Sequence, residues 1–165
     1  MSTTPFATLF VRLQAHLKTQ VPELRWIDQD FGQLEQERPP VSYPCALIDF
    51  TDWNFENWGE NIESASGAVV IRLAFDAWSN TNNLTPSLWK EKGLVFYDIE
   101  YKIYKALQGW KPDNYGYLLR ESVATEQRED NLRVRVLRFS CGFEDYGASP
   151  EYTQTELPPL EITDL

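Results

Sequence analysis

Ala68–Trp78 reads AVVIRLAFDAW, and its alternation decides the fold class. Val69, Ile71, Leu73, Phe75 and Ala77 fall on one side at period two, and Val70, Arg72, Ala74 and Asp76 on the other. That is the pattern of a strand with one face in a core and one face partly wet. β-branched and aromatic residues fill it and no proline interrupts it, so a central place in a sheet is open to it. A polar turn, Ser79–Leu84, follows, and then the longest helical pattern in the chain. Thr85-Pro86 is its capping signal. Leu88, Val95, Ile99, Ile103 and Ala106/Leu107 recur on one side as far as Gln108, and Gly109 supplies the stop. Trp89, Phe96, Tyr97, Tyr101 and Tyr104 widen the apolar surface beyond one stripe, which predicts a helix that touches a second surface besides the sheet. Gly93 within it costs roughly 1 kcal/mol against alanine and predicts a bend or a close approach.

Upstream, Thr4-Pro5 caps a helix whose stripe is Phe6, Leu9, Phe10, Leu13 and Leu17 and which stops before Val21-Pro22. His16, the only histidine, lies at the edge of that stripe. Arg25–Asp28 predicts a short strand, and Phe31–Ser42 a polar loop. Pro44 introduces a second long strand, Cys45–Trp53, with Ala46, Ile48 and Phe50 on one face and Cys45, Leu47, Asp49 and Thr51 on the other. Asn54–Gly67 reads as a long hairpin connection, unusual for carrying Phe55 and Trp58 among polar residues. Those two rings and Trp53 are the first candidate protein interface; the alternative is that they fold back over the sheet.

Downstream, Tyr117–Thr125 and Leu132–Phe143 predict an antiparallel pair joined by the charged segment Glu126–Asn131. The last strand changes phase: Leu132, Val134 and Val136 share one parity, and Leu137, Phe139, Cys141 and Phe143 the other. A β-bulge near Val136-Leu137 would reconcile them. With Leu132, Val134 and Val136 in the core, Arg133 and Arg135 project from the other face, and the bulge returns Arg138 to their side. Arg133, Arg135 and Arg138 are thus the second candidate interface, either a wet face paired with Glu121 and Glu126 or a subunit contact. The expected architecture is α+β: an antiparallel sheet of four or five strands packed against the N-terminal helix and one long central helix. Residues 1–147 form one domain, and 148–165, with Pro150, Pro158 and Pro159, an acidic C-terminal tail.

The formal net charge of −10 over 165 residues disfavours tight binding to nucleic acid. The acid is concentrated: from Trp26 to Ser66 nine carboxylates accompany a single arginine, and from Gly142 onward there are six carboxylates and no base. Six Trp and eight Tyr supply more amphipathic aromatic area than one small core requires, which suits either an aromatic core or an interface. Cys45 and Cys141 sit in apolar runs and read as buried thiols, not a disulfide framework. No apolar stretch approaches a membrane span, and no basic region with a following apolar run opens the chain.

Motifs for catalysis are missing from the sequence. It has no glycine-rich phosphate loop, no Cys-x-x-Cys and no histidine pair. One histidine cannot build a multi-histidine metal site. A Cys141–His16 dyad would bury its nucleophile between Phe139 and Phe143, and Asp49 with Asp52 is the kind of acid pair that 25 carboxylates produce by chance. The expectation is a protein that is no enzyme, with no catalytic, cofactor-binding or metal residues and no cofactor.

The order of elements and the segment RPPVSYPCALIDF, Arg38–Phe50, resemble the tail terminator (tail completion) proteins of long-tailed bacteriophages and prophages. The likeness spans about Pro5 to Tyr146 and lies in layout and in the proline-then-apolar start of the strand. It implies a structural virion protein that forms a hexameric ring with copies of itself. That ring caps the tail tube and joins it to the head–neck connector. Its partners are then the tail tube protein and the connector protein, and its location the host cytoplasm during assembly and afterwards the virion tail. The other functional class open to the sequence is a monomeric or dimeric binding domain with a cleft lined by Trp and Tyr.

Overall fold

The structure is a computed structural model that describes residues 4–76 and 79–151. Helix α1, Pro5–Gln20, begins at the proline after Thr4 and buries Leu9, Leu13 and Leu17. A short strand β1, Trp26–Gln29, follows, then a single 3-10 turn at Gln33–Glu35. Two long strands come next, β2, Cys45–Gly59, and β3, Ile62–Phe75. Helix α2, Ser87–Leu107, leads into β4, Leu119–Glu126, and β5, Arg133–Asp145. The strands form one sheet in the order β1-β2-β3-β5-β4, so the strand read from Ala68 onward occupies the centre. Ala77 and Trp78, the end of that stretch, and the tail from residue 152 lie outside the described residues.

The α+β class holds, but the sheet is mixed, not antiparallel. β1 runs parallel to β2, pairing Trp26 with Cys45 through Gln29 with Ile48. A parallel neighbour needs a crossover rather than a hairpin, and the segment 30–44 provides it by passing over the outer face. The sheet therefore has two apolar clusters, one on each side. On the helix side, Leu9, Leu13 and Leu17 of α1 and Ile99, Ile103 and Leu107 of α2 pack on Ala46, Ile48, Val69, Ile71, Leu73, Leu137 and Phe139. On the other side the crossover lays Leu34, Val41 and Tyr43 over Cys45, Leu47, Ala74 and Val134.

These two clusters explain the phase change read in the last strand. β5 pairs with β3 without interruption from Arg133–Phe75 to Asp145–Glu63, and no bulge lies at Val136-Leu137. Val134 belongs to the outer cluster and Leu137 to the inner one, so both parities are apolar without any change of register. The register shift falls instead in β4, between Arg120 and Ser122.

The 54–67 stretch is not a connection. β2 and β3 continue through it, past a bulge between Thr51 and Asn54 where Asp52 has φ +55°, and pair as far as Gly59 with Ile62. The turn is only Glu60-Asn61, both at positive φ as a two-residue hairpin turn demands. β3 also pairs here with β5, Glu63 with Asp145 through Gly67 with Cys141. The result is a three-stranded arm that runs on past the inner apolar cluster. Gly67 lets Trp53 close the cluster at the arm's root: a Cβ at Gly67 would lie 2.5 Å from the indole and 2.8 Å from Trp53 Cα.

Candidate assembly surfaces

The arm carries two exposed rings. Phe55 is 49% and Trp58 61% exposed, and 54–60 is exposed throughout. Trp53, the third candidate, is not part of this surface. Its ring packs edge-on against Phe6 with centroids 5.1 Å apart, meets Phe143 at 5.2 Å, and donates its Nε1 hydrogen to the Ala68 carbonyl at 3.2 Å. Trp53 therefore belongs to the core, whereas Phe55 and Trp58 stand outside it. The double change Phe55→Ala and Trp58→Ala is expected to leave the melting temperature within about 2 °C of the parent, since surface changes stay within ~0.5 kcal/mol; a thermal scan by circular dichroism checks it.

A second apolar surface lies on the first half of α2. Leu88 and Val95 continue the stripe of Ile99 and Ile103 at helical spacing, yet Leu88 is 63% and Val95 50% exposed, while Ile103 is fully buried. In the first half of α2 the covered side runs instead through Gly93, which is buried, and Phe96, which meets Phe75. Leu88 and Val95 thus stand outside the core assigned to them from periodicity. Trp89 and Leu84 are exposed as well, but Trp89 sits about 100° round the helix from Leu88, with Lys92 over its ring at 4.6 Å. Gly93 marks a close approach: a Cβ there would meet Thr81 Cγ2 at 2.5 Å and the Ser79 carbonyl oxygen at 2.7 Å. The sequence signal for this surface was the excess of rings on α2, but nothing local fixed where the sheet would stop.

The arginines of β5 do not form one patch. Cross-strand partners share a face, and Arg133 opposes Phe75 and Arg135 opposes Leu73, which places both on the helix side. There α2 receives them. Arg135 forms two hydrogen bonds with Glu100, at 2.5 and 3.1 Å, donates to Thr125 and lies over the Tyr97 ring. Arg133 lies over the Phe96 ring at 4.7 Å. Arg138 opposes Val70 on the outer side and pairs with Asp52 and Glu121 at 2.9 Å each. With β5 unbulged, alternation separates Arg138 from the other two, and the candidate strip of three does not exist. Arg135→Gln is expected to cost about 1.5–3 kcal/mol of stability, because the Glu100 side chain is only 12% exposed and loses its charged partner. Urea denaturation measures it.

The outer face holds a larger ion network that sequence reading missed. Arg72 reaches Asp30, Glu35 and Glu126, and Arg128 reaches Glu35, Glu126 and Asp130. Arg128 also donates to the Leu34 carbonyl at 2.6 Å. Hydrogen bonds from Arg72 hold the Glu35 carboxyl below its ordinary pKa, and those from Arg128 do the same for Asp130. At Glu126 burial pushes upward, but hydrogen bonds from Arg72 and Arg128 outweigh it and the pKa is lowered. The network straps the crossover and the β4–β5 turn to the sheet.

Both cysteines and the histidine are held by packing. Burial pushes the thiols of Cys45 and Cys141 up to about 11, so neither is a thiolate at neutral pH. His16 stacks on Trp110 at 4.1 Å, and its Nε2 lies 2.8 Å from the Ala106 carbonyl oxygen. Among the described residues no group of three or more His, Cys, Asp or Glu is placed to hold a metal ion, and no helix is long and apolar enough to cross a membrane. A cleft of about 850 Å³ between the arm and the 111–116 loop is lined by Ser64, Ser66, Lys111, Asn114 and the rings of Tyr115 and Tyr146, with no tryptophan.

No family model matches the chain, and no curated protein matches it. Among solved structures, a chain of the "Virion of native gene transfer agent (GTA) particle" is similar over 81% of this chain and 84% of that one, with 14% sequence identity and a TM-score of 0.45. At that score and identity the likeness carries no functional argument.

Proposed function

We propose that this chain is a structural subunit of a phage-like virion, a tail terminator-like protein whose copies close into a ring, hexameric in the assembled tail, between the tail tube and the head–neck connector. The sequence resemblance across Pro5–Tyr146 supplies the class. The observation that carries the reading is the presence of two uncovered apolar surfaces at opposite ends of the sheet, one on the arm and one on α2. Ala65, the partner of Phe55, and Phe75, which meets Phe96 of α2, are on the order of 30 Å apart along β3 at about 3.3 Å per residue. Two different patches on well-separated parts of one subunit suit head-to-tail contact, the kind that generates rings.

The same reading makes the protein no enzyme and without a cofactor: its role is contact, and it acts in the host cytoplasm during assembly and then in the virion tail. Negative-stain electron microscopy of concentrated protein tests the ring. Closed rings of fixed subunit number are expected, and open filaments or dispersed monomers at every concentration count against it. The genes flanking the coding sequence test the virion role separately, since genes for a tail tube and a tape measure are expected beside it. Metal analysis of the purified protein tests the last part, and a stoichiometric transition metal would overturn it.

A further inference from the structure

We propose that residues 152–165 dock on the chain's own basic, tyrosine-lined margin, the run of Lys105, Arg120 and Lys111 with Tyr101, Tyr104 and Tyr117. The contact lies within one copy and does not require a ring.

Three observations carry it. The margin holds uncommitted positive charge on a chain of net charge −10. Lys105 lies over the Tyr101 ring, Arg120 over Tyr104 at 3.9 Å and Lys111 over Tyr117. Among the described residues none of these cations meets a carboxylate, whereas Arg72, Arg128, Arg135 and Arg138 all do. Of the acids around them, Glu100, Asp113 and Glu121 already hold Arg135, Arg12 and Arg138, which leaves Asp98, about one turn before Tyr101. The rings hold the cations in place, so a carboxylate that meets them removes less side-chain freedom. The contacts also join into one run at the edge of the sheet, where β4 is the last strand. The Tyr101 and Tyr104 rings are 5.7 Å apart, and Gln108 accepts the Arg120 backbone N–H at 2.9 Å. Gly109 donates to the Leu118 carbonyl and Leu118 to that of Trp110, which brings Lys111 and Tyr117 to the end of the run, with Leu119 exposed between them and Arg120. Finally, the acidic end of the chain leaves beside this run. Glu144 and Tyr146 line the same cleft as Lys111. Residues 152–165 hold Glu156, Glu161 and Asp164 with no base, and Leu157 and Leu160 among them. At about 3.3 Å per residue they span up to roughly 45 Å. Tyr117 to Arg120 is about 10 Å of strand and Tyr101 to Gln108 about 10 Å of helix, so the segment is long enough to follow the whole run.

Disulfide trapping in the full chain tests this. One variant carries Leu119→Cys with Leu160→Cys, and the control carries Asn57→Cys with Leu160→Cys. Leu119 and Asn57 are exposed, while the native Cys45 and Cys141 are buried and stay out of the reaction. Asn57 is a fair control because it pairs with Glu63 and Glu63 with Asp145, close to where the segment starts. Under mild oxidation at low salt the Leu119 pair is expected to close within one chain at least about tenfold faster than the Asn57 pair. Adding Lys105→Glu and Arg120→Glu is expected to slow closure about fivefold, and adding Glu156→Lys and Glu161→Lys to that same chain to restore it. Raising the salt to about 0.5 M is expected to slow the original pair as well. Equal closure of the two pairs, or closure indifferent to charge reversal, would overturn the proposal. Disulfide-linked dimers as the main product would place the segment on a second copy and overturn it too. A single-stranded DNA oligonucleotide is expected not to bind the full chain; binding that Lys105→Glu with Arg120→Glu abolishes would name a phosphate backbone as the ligand of this margin instead.

Discussion

Replacing Arg72 by leucine is expected to lower the melting temperature by about 10 °C at neutral pH, from a loss of ~3 kcal/mol at roughly 2–4 °C per kcal/mol for a chain of this size. Its guanidinium holds Glu126 through two hydrogen bonds of 2.7 and 2.9 Å, Glu35 at 2.7 Å and Asp30 at 3.1 Å. Burial alone would lower the Arg72 pKa; the hydrogen bonds it donates to Glu35, Glu126 and Asp30 reverse that and raise it. The Asp30 and Glu126 side chains are only 13% and 27% exposed, so without Arg72 they keep their desolvation and lose a charge partner. Leucine fills part of the volume, which isolates the charge effect from a cavity.

The pH dependence follows from the same contacts. The carboxyls of Glu35 and Glu126 have folded-state pKa values below the ordinary 4.5. Their contribution is therefore fully present above that value and is lost as the pH falls through the depressed folded values. In the Arg72→Leu chain the cause of much of the depression is gone. The gap in melting temperature between parent and variant should shrink as the pH is lowered from 7 to 3. A gap that stays constant over that range would mean that Arg72 stabilises by packing, not by charge.

Gly67→Val should be as damaging, for a steric reason. A side chain at this position has no room, because Trp53 lies on the glycine with its ring 2.5 Å and its Cα 2.8 Å from the added carbon. The ring cannot stay and the β2 backbone must shift. Expelling it removes contacts with Phe6 and Phe143, and the expected loss is that of deleting a buried tryptophan, about 3–5 kcal/mol. The Trp53 indole proton, bonded to the Ala68 carbonyl, reports the event directly. In the parent its exchange with solvent should be slow, and in the variant fast. The contrast with Phe55→Ala and Trp58→Ala is the diagnostic: three rings within six positions, of which one should govern stability and two should not.

Much of this was legible in the sequence. The alternation from Ala68 put the right residues on each side of the central strand, and the helical spacing found α1 and α2 to within a residue or two. The arm escaped because a strand shows alternation only where one face is buried. Past Trp53 and before Ala68 the helices cover little, so Ser64, Ser66, Glu56 and Glu63 carry no periodic signal although their backbone pairing is continuous. The misplaced bulge has the opposite cause. Where both faces are covered, both parities turn apolar, and the run from Leu132 to Phe143 looks like a slip in register when it is a change of covering layer. The ion network was hidden because Asp30, Arg72 and the pair Glu126 and Arg128 come from three separate segments, and only the crossover brings them together.

The sequence by itself determined which side of the central strand and of α1 is apolar, and where the two helices begin and end. Only the tertiary structure decided that β1 joins the sheet in parallel, that Trp53 is core while Phe55 and Trp58 are surface, that Arg133 and Arg135 face α2 while Arg138 faces away, and that Leu88 and Val95 of the α2 stripe stay exposed. Periodicity records the direction in which a side chain points, a property of a few neighbouring residues. What it meets there depends on how far another layer extends, and that is fixed by contacts between segments remote in the chain.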